Sequence, residues 1–132
     1  MLDELCGANA YRIIGVYTNS SLKDIKFNLS RIKAYRAANK ELTFALDCSR
    51  YLPELKRDKE TVALAESKLM HSLSRLKEAL SWFMCLQPQD EAALSLIERG
   101  QLKRASTALS ERTDLSGLIN YGICEILRHN PK

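Results

Sequence analysis

The chain is most regular in residues 58–86, DKETVALAESKLMHSLSRLKEALSWFMCL. Apolar side chains recur there every three or four positions, which is the spacing of one face of an α-helix. We expect one long helix over this segment, with its apolar face in the core. The members of that face are Val62, Ala65, Leu69, Leu73, Leu76, Leu80 and Phe83.

Turn-forming residues are scarce around this segment. The 132 residues include 5 glycines, none of them between Gly15 and Gly100, and 3 prolines. A strand-rich sandwich needs a turn signal about every ten residues, so that class is excluded. A hydrophobic share of 45% and a charged share of 27% are typical of a globular protein. We therefore predict an all-α fold of about six helices.

Two helices are predicted before the long one. A short helix over residues 9–16 is closed by Gly15, and a second runs from Leu22 to about Ala38. Ser21 and Asp24 have the spacing of a capping box at its start. A connector over residues 43–55 should pack on the body through its apolar residues. The expected core face of the second helix is Leu22, Ile25, Leu29 and Ile32.

Three more helices are predicted after Pro88. Asp90 should cap the first, which ends at Gly100, and residues 101–112 form the next. The last, capped by Asp114 or Ser116, runs through Leu127 and is apolar on more than one face. Such a helix should be covered, either by its own domain, by a continuation of the chain, or by a second copy in a homodimer through residues 115–127 (Leu115 to Leu127).

Basic residues are concentrated in the second helix, where only Asp24 opposes them. Three interpretations are open: a solvated flank, a surface that docks an acidic protein partner, or contact with a phosphate backbone. Aromatic residues are not interleaved at base-stacking spacing, which counts against single-stranded nucleic acid. The predicted partner-binding residues are Lys23, Lys26, Lys33, Arg36 and Lys40.

The sequence shows no pattern of catalytic or metal-binding residues. Neither His71 nor His129 has a Cys, Asp or His three or four positions away, and no glycine-rich phosphate loop occurs. We expect no enzyme activity, no cofactor and no metal. A pocket that joined His71 with Cys85 or Asp47 would reverse that expectation.

The location of the protein is predicted from two segment types. No apolar run approaches the roughly 18 residues of a membrane span, and residues 1–4, MLDE, lack the basic segment of a signal peptide. We expect a cytoplasmic protein without membrane contact. Its four cysteines should then be buried thiols rather than disulfides.

Two neighbouring motifs resemble the opening of a J-domain of the DnaJ-like family. Residues 9–16, NAYRIIGV, are similar to its first helix, an aromatic-x-x-Leu-Gly-Val segment. Residues 21–26, SLKDIK, are similar to the Ser-x-x-Glu-Ile-Lys start of its basic second helix. The resemblance covers residues 8–38 well and residues 58–86 loosely. It implies an antiparallel helical hairpin with further helices packed on it.

The resemblance fails at the tripeptide that gives a J-domain its activity. His-Pro-Asp follows the second helix in the family, engages the seventy-kilodalton chaperone and stimulates its ATP hydrolysis. Alignment of the two motifs places Ala37-Ala38-Asn39 there. The resemblance therefore implies a J-type hairpin without the stimulating function.

Residues 89–132 resemble a tetratricopeptide-type helix pair through the rhythm of Ala93, Leu96, Gly100, Ala105 and Leu109. The predicted organisation is a J-domain-like region, 1–88, followed by this helical extension, 89–132. The predicted function is a non-catalytic interaction or scaffolding module that docks an acidic protein. The alternatives are a true co-chaperone of the seventy-kilodalton heat-shock class and a nucleic-acid-binding helical domain.

Overall fold

The computed structural model describes residues 6–129. Seven α-helices lie wholly within this range and none of its residues is in a strand, so the all-α prediction is confirmed. Residues 1–4, on which the signal-peptide argument rests, lie outside the described range. The helices are α1 (Ala10–Ile14), α2 (Leu22–Ala37), α3 (Lys59–Met70), α4 (Ser72–Ala79), α5 (Pro88–Glu98), α6 (Leu102–Ser110) and α7 (Leu115–Arg128), with a short 3₁₀ turn at Ala45–Asp47.

Side chains cap the starts of α1 and α2: Ser21 does so as predicted, whereas the cap at Asn9 was not predicted. The Asn9 side chain accepts a hydrogen bond of 2.9 Å from the backbone N–H of Tyr11. The Ser21 hydroxyl accepts one of 3.1 Å from the N–H of Asp24. Gly15 ends α1 with φ +79°, and a side chain there would also collide with the Phe44 ring. Only glycine meets both conditions.

Helix α1 lies at the centre of the N-terminal helices. All of its residues are buried, and it packs against α2, α3 and α4. The end of α2 lies near the start of α3. Two bonds from Thr61 mainly lower the pKa of Asp58, the residue before α3, and the Arg36 charge adds to them. At the other end, Arg75 of α4 donates a 3.5 Å bond to the Ser20 carbonyl.

The buried faces of α2 and α3 are largely the predicted ones. Leu22 is an exception, because its side chain is 45% exposed. It is the first residue of α2 and lies one turn before the first buried position of that helix. The prediction that it belongs to the core is wrong. The buried members are Ile25, Leu29 and Ile32 on α2, and Val62, Ala65 and Leu69 on α3.

The single helix predicted over residues 58–86 is wrong, because the chain leaves the helical conformation at His71 (φ −108°, ψ 124°). The change of direction lets α4 reach the start of α1. There the Glu78 carboxylate accepts the N–H of Ala10 at 3.0 Å. The Glu78 carbonyl accepts the Asn9 amide at 2.7 Å. The first of these bonds satisfies the N–H of Ala10, which has no partner within its own helix.

The break also moves the core from the leucines to two aromatic residues. Leu69 is buried, but Leu73, Leu76 and Leu80 are 69%, 59% and 72% exposed, so their assignment to the core is wrong. Phe83, the last member of the predicted face, is buried as expected together with Trp82, and their ring centroids lie 5.0 Å apart in an edge-to-face arrangement. The two aromatic rings bury a large apolar area and occupy the core where the three leucines do not.

We predict that replacing Leu73, Leu76 and Leu80 singly by Ser changes the free energy of unfolding by no more than about 0.5 kcal/mol each, since all three are exposed. Urea denaturation followed by circular dichroism measures this. In a continuous buried helix each loss would be about 2–5 kcal/mol. A loss of that size at Leu76 would show that α4 is packed differently.

The C-terminal helices start close to their predicted positions. Pro88 is the first residue of α5, where its missing N–H is harmless. Asp90, predicted as the cap residue, lies two positions further in, because its carboxylate reaches back to the N–H groups of Leu86 and Gln87 at 3.0 and 2.9 Å. Gly100 follows α5 with φ +79°. Asp114 precedes α7 as expected.

The N-terminal and C-terminal helices meet through the segment between α4 and α5. The Asn120 side chain of α7 accepts the N–H of Met84 at 2.8 Å and donates to its carbonyl at 2.7 Å. The Tyr51 hydroxyl donates to the Gly100 carbonyl at 2.9 Å. One continuous set of buried apolar side chains runs from α1 to α7. On α7, Leu115 and Leu118 stay exposed, and the homodimer through this helix stays a prediction.

Candidate protein-binding face on helix α2

Helix α2 is held to the body along one side only. Its buried apolar residues face α1, and the Asn28 amide donates to the carbonyls of Ile14 and Gly15 at 3.0 and 3.1 Å. The opposite side faces solvent and carries one acidic residue, Asp24. The helix therefore presents a basic surface from a fixed position.

The five predicted partner-binding residues fall into two groups. Lys23, Lys26, Lys33 and Lys40 are exposed, and Arg36 is half-buried. Lys26 and Lys33 are seven positions apart, so they lie on the same face of α2. We call the four exposed lysines, Lys23, Lys26, Lys33 and Lys40, the basic face. Within residues 6–129, none of them is in an ion pair.

Residues 37–39, at the place of the J-domain tripeptide, end α2. Asn39 adopts the left-handed conformation with φ +55°, which asparagine tolerates better than most residues. Its N–H bonds to the Arg36 carbonyl at 3.0 Å, and the N–H of Lys40 bonds to the Tyr35 carbonyl at 2.8 Å. This is the Schellman pattern of a helix end. It keeps Lys40 beside the last turn of the basic helix.

The connector after α2 is fixed by a buried arginine, Arg57, that the sequence argument did not single out. Arg57 donates to both carboxylate oxygens of Asp47, at 3.0 and 2.6 Å, with both side chains 8% exposed. It also donates to the carbonyls of Ile13, Leu42 and Arg12 at 2.7, 3.0 and 3.2 Å. One side chain thus fastens the connector to α1.

Arg12 of α1 makes a second set of buried bonds to the connector. It donates to the carbonyls of Asp47 and Pro53 at 2.8 and 2.7 Å, and to that of Gly7 at 2.8 Å. Burial lowers the pKa of Arg12, although Asp47 opposes that shift. One feature of the sequence could have predicted a buried arginine here: Arg12 lies between Tyr11 and Ile13 in a helix that is otherwise apolar.

A cavity of about 460 Å³ opens where the end of α2 faces the connector. We call it the α2-end cavity. Its apolar wall is formed by Ile32, Leu42 and Leu55, with Tyr35 at the side. The charged residues that line it are Arg36, Lys40, Lys56, Arg57, Glu41, Asp47 and Glu54.

The aromatic rings beside the basic face make cation–π contacts with arginine side chains. The Arg31 guanidinium lies 5.8 Å from the Phe27 ring centroid and 5.7 Å from that of Phe44. Arg57 lies 4.7 Å from the Phe44 centroid, on the inner side. These cation–π contacts hold Phe44 between α2 and the connector.

The residues named as a possible catalytic group occupy separate environments. His71 is exposed at the break between α3 and α4, and Asp47 is ion-paired with Arg57. Burial raises the pKa of the Cys85 thiol. Burial also raises the pKa of Cys48, the residue that follows Asp47, to about 12. In the described part of the chain, no three His, Cys, Asp or Glu side chains form a group that could hold a metal.

Across residues 6–129, no helix has the length and apolar character needed to cross a membrane.

Comparison with known proteins adds no relative to this picture. No family model matches the chain, and neither a curated protein nor a solved structure matches it.

Proposed function

We propose that the protein is a non-catalytic interaction module that docks an acidic protein partner on the basic face. The observation that carries the proposal is that Lys23, Lys26 and Lys33 are exposed on a firmly packed helix and have no carboxylate partner in the described residues. Unpaired like charges on one rigid surface attract an oppositely charged surface at low additional ordering cost.

The resemblance to a J-domain supports a helical scaffold whose second helix is the contact surface. Helices α1 and α2 coincide with the two motifs, and the charge of Arg36 near the end of α2 acts on Asp58, the residue before α3. At the tripeptide position, Asn39 forms a helix end and the neighbouring side chains are alanine methyl groups. These groups lack the imidazole and carboxylate of His-Pro-Asp. We therefore propose docking without stimulation of a chaperone ATPase.

Charge on an exposed helix acts mainly on the rate of encounter. Surface lysines are solvated, so each contact contributes little to affinity, but together they accelerate association and make it dependent on salt. Screening has a length of about 8 Å at physiological ionic strength. The partner must therefore present its acidic residues close to α2.

We predict that the double substitution Lys26→Glu/Lys33→Glu weakens binding of an acetylated, amidated hexaglutamate peptide about tenfold at low salt, the equivalent of about 1.4 kcal/mol. Reversal of two neighbouring charges replaces attraction by repulsion on the contact surface. Fluorescence polarisation of a labelled peptide measures the dissociation constant, and the affinity of the unmodified protein should fall as salt is raised.

The matched control is Lys77→Glu/Lys103→Glu, which makes the same change in net charge at two exposed lysines on α4 and α6. It should lower affinity less than threefold. Equal losses in both double variants would mean that net charge alone drives binding, which contradicts a specific face. Clear stimulation of the ATPase of a cognate seventy-kilodalton chaperone would contradict the second part of the proposal, that docking occurs without stimulation.

A further inference from the structure

We infer that the α2-end cavity receives a carboxylate side chain of the acidic partner, which bonds to the guanidinium of Arg36. This inference rests on the proposed function, because it names the anchor point of a partner already docked on the basic face. It extends that proposal from a diffuse surface to a defined recognition site.

Arg36 has a buried hydrogen-bond donor without an acceptor, which is unfavourable for stability. Its Nη1 atom is buried and has no hydrogen-bond partner in the described residues. A buried donor without a partner lowers stability, so such groups in native proteins call for an explanation. The neighbouring carboxylate of Asp58 is committed to the start of α3, where it accepts the N–H of Thr61 at 2.8 Å. A carboxylate entering from outside would supply the missing acceptor.

The other guanidinium in the cavity is already saturated. Arg57 bonds to Asp47 and to three backbone carbonyls. Its charge is thereby neutralised, and its position fixes the connector wall before a ligand arrives. Preorganisation of this kind reduces the ordering cost of binding. The cavity thus combines a rigid wall at Arg57 with an available donor at Arg36.

The charges at the cavity favour a single carboxylate over a more highly charged anion. Lys40 and Lys56 add to Arg36, but Glu41 and Glu54 also line the opening. A group with one negative charge gains a charge-assisted bond to Arg36 with limited repulsion from the glutamates. These three cations and two glutamates leave a surplus of one positive charge, which one carboxylate neutralises and a phosphate group, with a charge near −2, exceeds.

The size and position of the cavity fit one side chain of a docked segment. Its volume of about 460 Å³ is within the usual range of about 300–1,000 Å³ for ligand sites and is too small for a helix. Ile32, Leu42 and Leu55 would contact the methylene groups of a glutamate. Lys40 belongs to the basic face and also lines the cavity, so the two surfaces are continuous.

The test compares Arg36→Met with Lys33→Met, two substitutions that remove one positive charge three positions apart on α2. Arg36→Met should weaken binding of the labelled hexaglutamate peptide about thirtyfold, because a desolvated pair is lost. Lys33→Met should weaken it less than threefold. Removal of an unsatisfied buried donor should leave the melting temperature of Arg36→Met unchanged or a few degrees higher. A merely structural arginine would lower it.

A second variant, Thr43→Trp, fills the cavity from an exposed lining residue without changing the charge. It should also weaken binding at least tenfold, and it carries the test if Arg36→Met fails to fold. Equal affinities of Arg36→Met and Lys33→Met would overturn the inference and leave the basic face intact. Unchanged binding in both Arg36→Met and Lys26→Glu/Lys33→Glu would overturn the proposed function as well. Tighter, Arg36-dependent binding of a phosphoserine peptide would overturn the assignment to a carboxylate.

Discussion

Replacement of Arg57 by Met is expected to lower the free energy of unfolding by about 3–5 kcal/mol. Methionine keeps the length and apolar stem of the side chain, so the loss isolates the guanidinium. Without it, the Asp47 carboxylate, 8% exposed, remains as a buried charge without its cation. The carbonyls of Ile13 and Leu42 lose their donor at the same time. Urea denaturation of the purified variant measures the change.

Two controls separate the ion pair from general damage to the connector. Arg31→Met removes a guanidinium that stacks on the same Phe44 ring but pairs with no carboxylate in the described residues. It should lower stability by less than about 1 kcal/mol. Adding Asp47→Asn to Arg57→Met should recover part of the loss, because it removes the unpaired charge. If Arg57→Met costs no more than Arg31→Met, the buried network is not what fixes the connector.

The second large effect is expected at Asp90, whose fully buried carboxylate joins α5 to Arg112 in the loop after α6 and to Asn120 of α7. It accepts bonds from the N–H groups of Leu86 and Gln87, from Arg112 at 3.0 Å and from Asn120 at 3.3 Å. Asp90→Ala leaves these donors without their acceptor, and we expect a loss of about 3–5 kcal/mol in urea denaturation. Asp114→Ala is the matched control, since Asp114 also pairs with Arg112 but is 43% exposed. Its loss should stay below about 1 kcal/mol.

The same residue predicts a dependence of stability on pH. Burial raises the pKa of Asp90, but bonds from Ser116, Gln87, Leu86 and Arg112 outweigh this and hold the pKa below its ordinary value. Its contribution is therefore complete above the unfolded pKa of about 3.9 and is lost as pH falls through the folded value. The free energy of unfolding should therefore differ between the protein and its Asp90→Asn variant at pH 7, and this difference should shrink at pH 4 and again at pH 3. A difference that stays the same at all three pH values would contradict a lowered pKa of Asp90.

The sequence predicted the features that depend on neighbouring residues. The caps at Ser21 and Gly15 act within one turn, so their spacing was sufficient. The lysines of the basic face were predictable because an exposed helix side follows from the buried one. The connector was expected to pack on the body, and its 3₁₀ turn and buried Leu52 do so.

The features that the sequence did not predict depend on distant residues. The periodicity of the leucines is unbroken through His71, whereas the helix that follows the break bonds through Glu78 to the start of α1, 68 residues earlier. Arg57 reaches carbonyls 44 and 45 residues away. The α2-end cavity exists only because these bonds place the connector against α2. Arg36 was correctly selected as basic, but its buried Nη1 could not be inferred from spacing.

The bonds that close the start of α1 also impose an order of events during synthesis. The Asn9 amide bonds to the Glu78 carbonyl, 69 residues later, and to the Ser81 hydroxyl, 72 residues later. At about 5–20 residues per second, a ribosome needs several seconds to make that interval. Until Ser81 has left the exit tunnel, the first helix emerges without the partners that complete its N-terminal end. Helix α1 therefore reaches its final hydrogen bonding only after α2, α3 and α4 have been made.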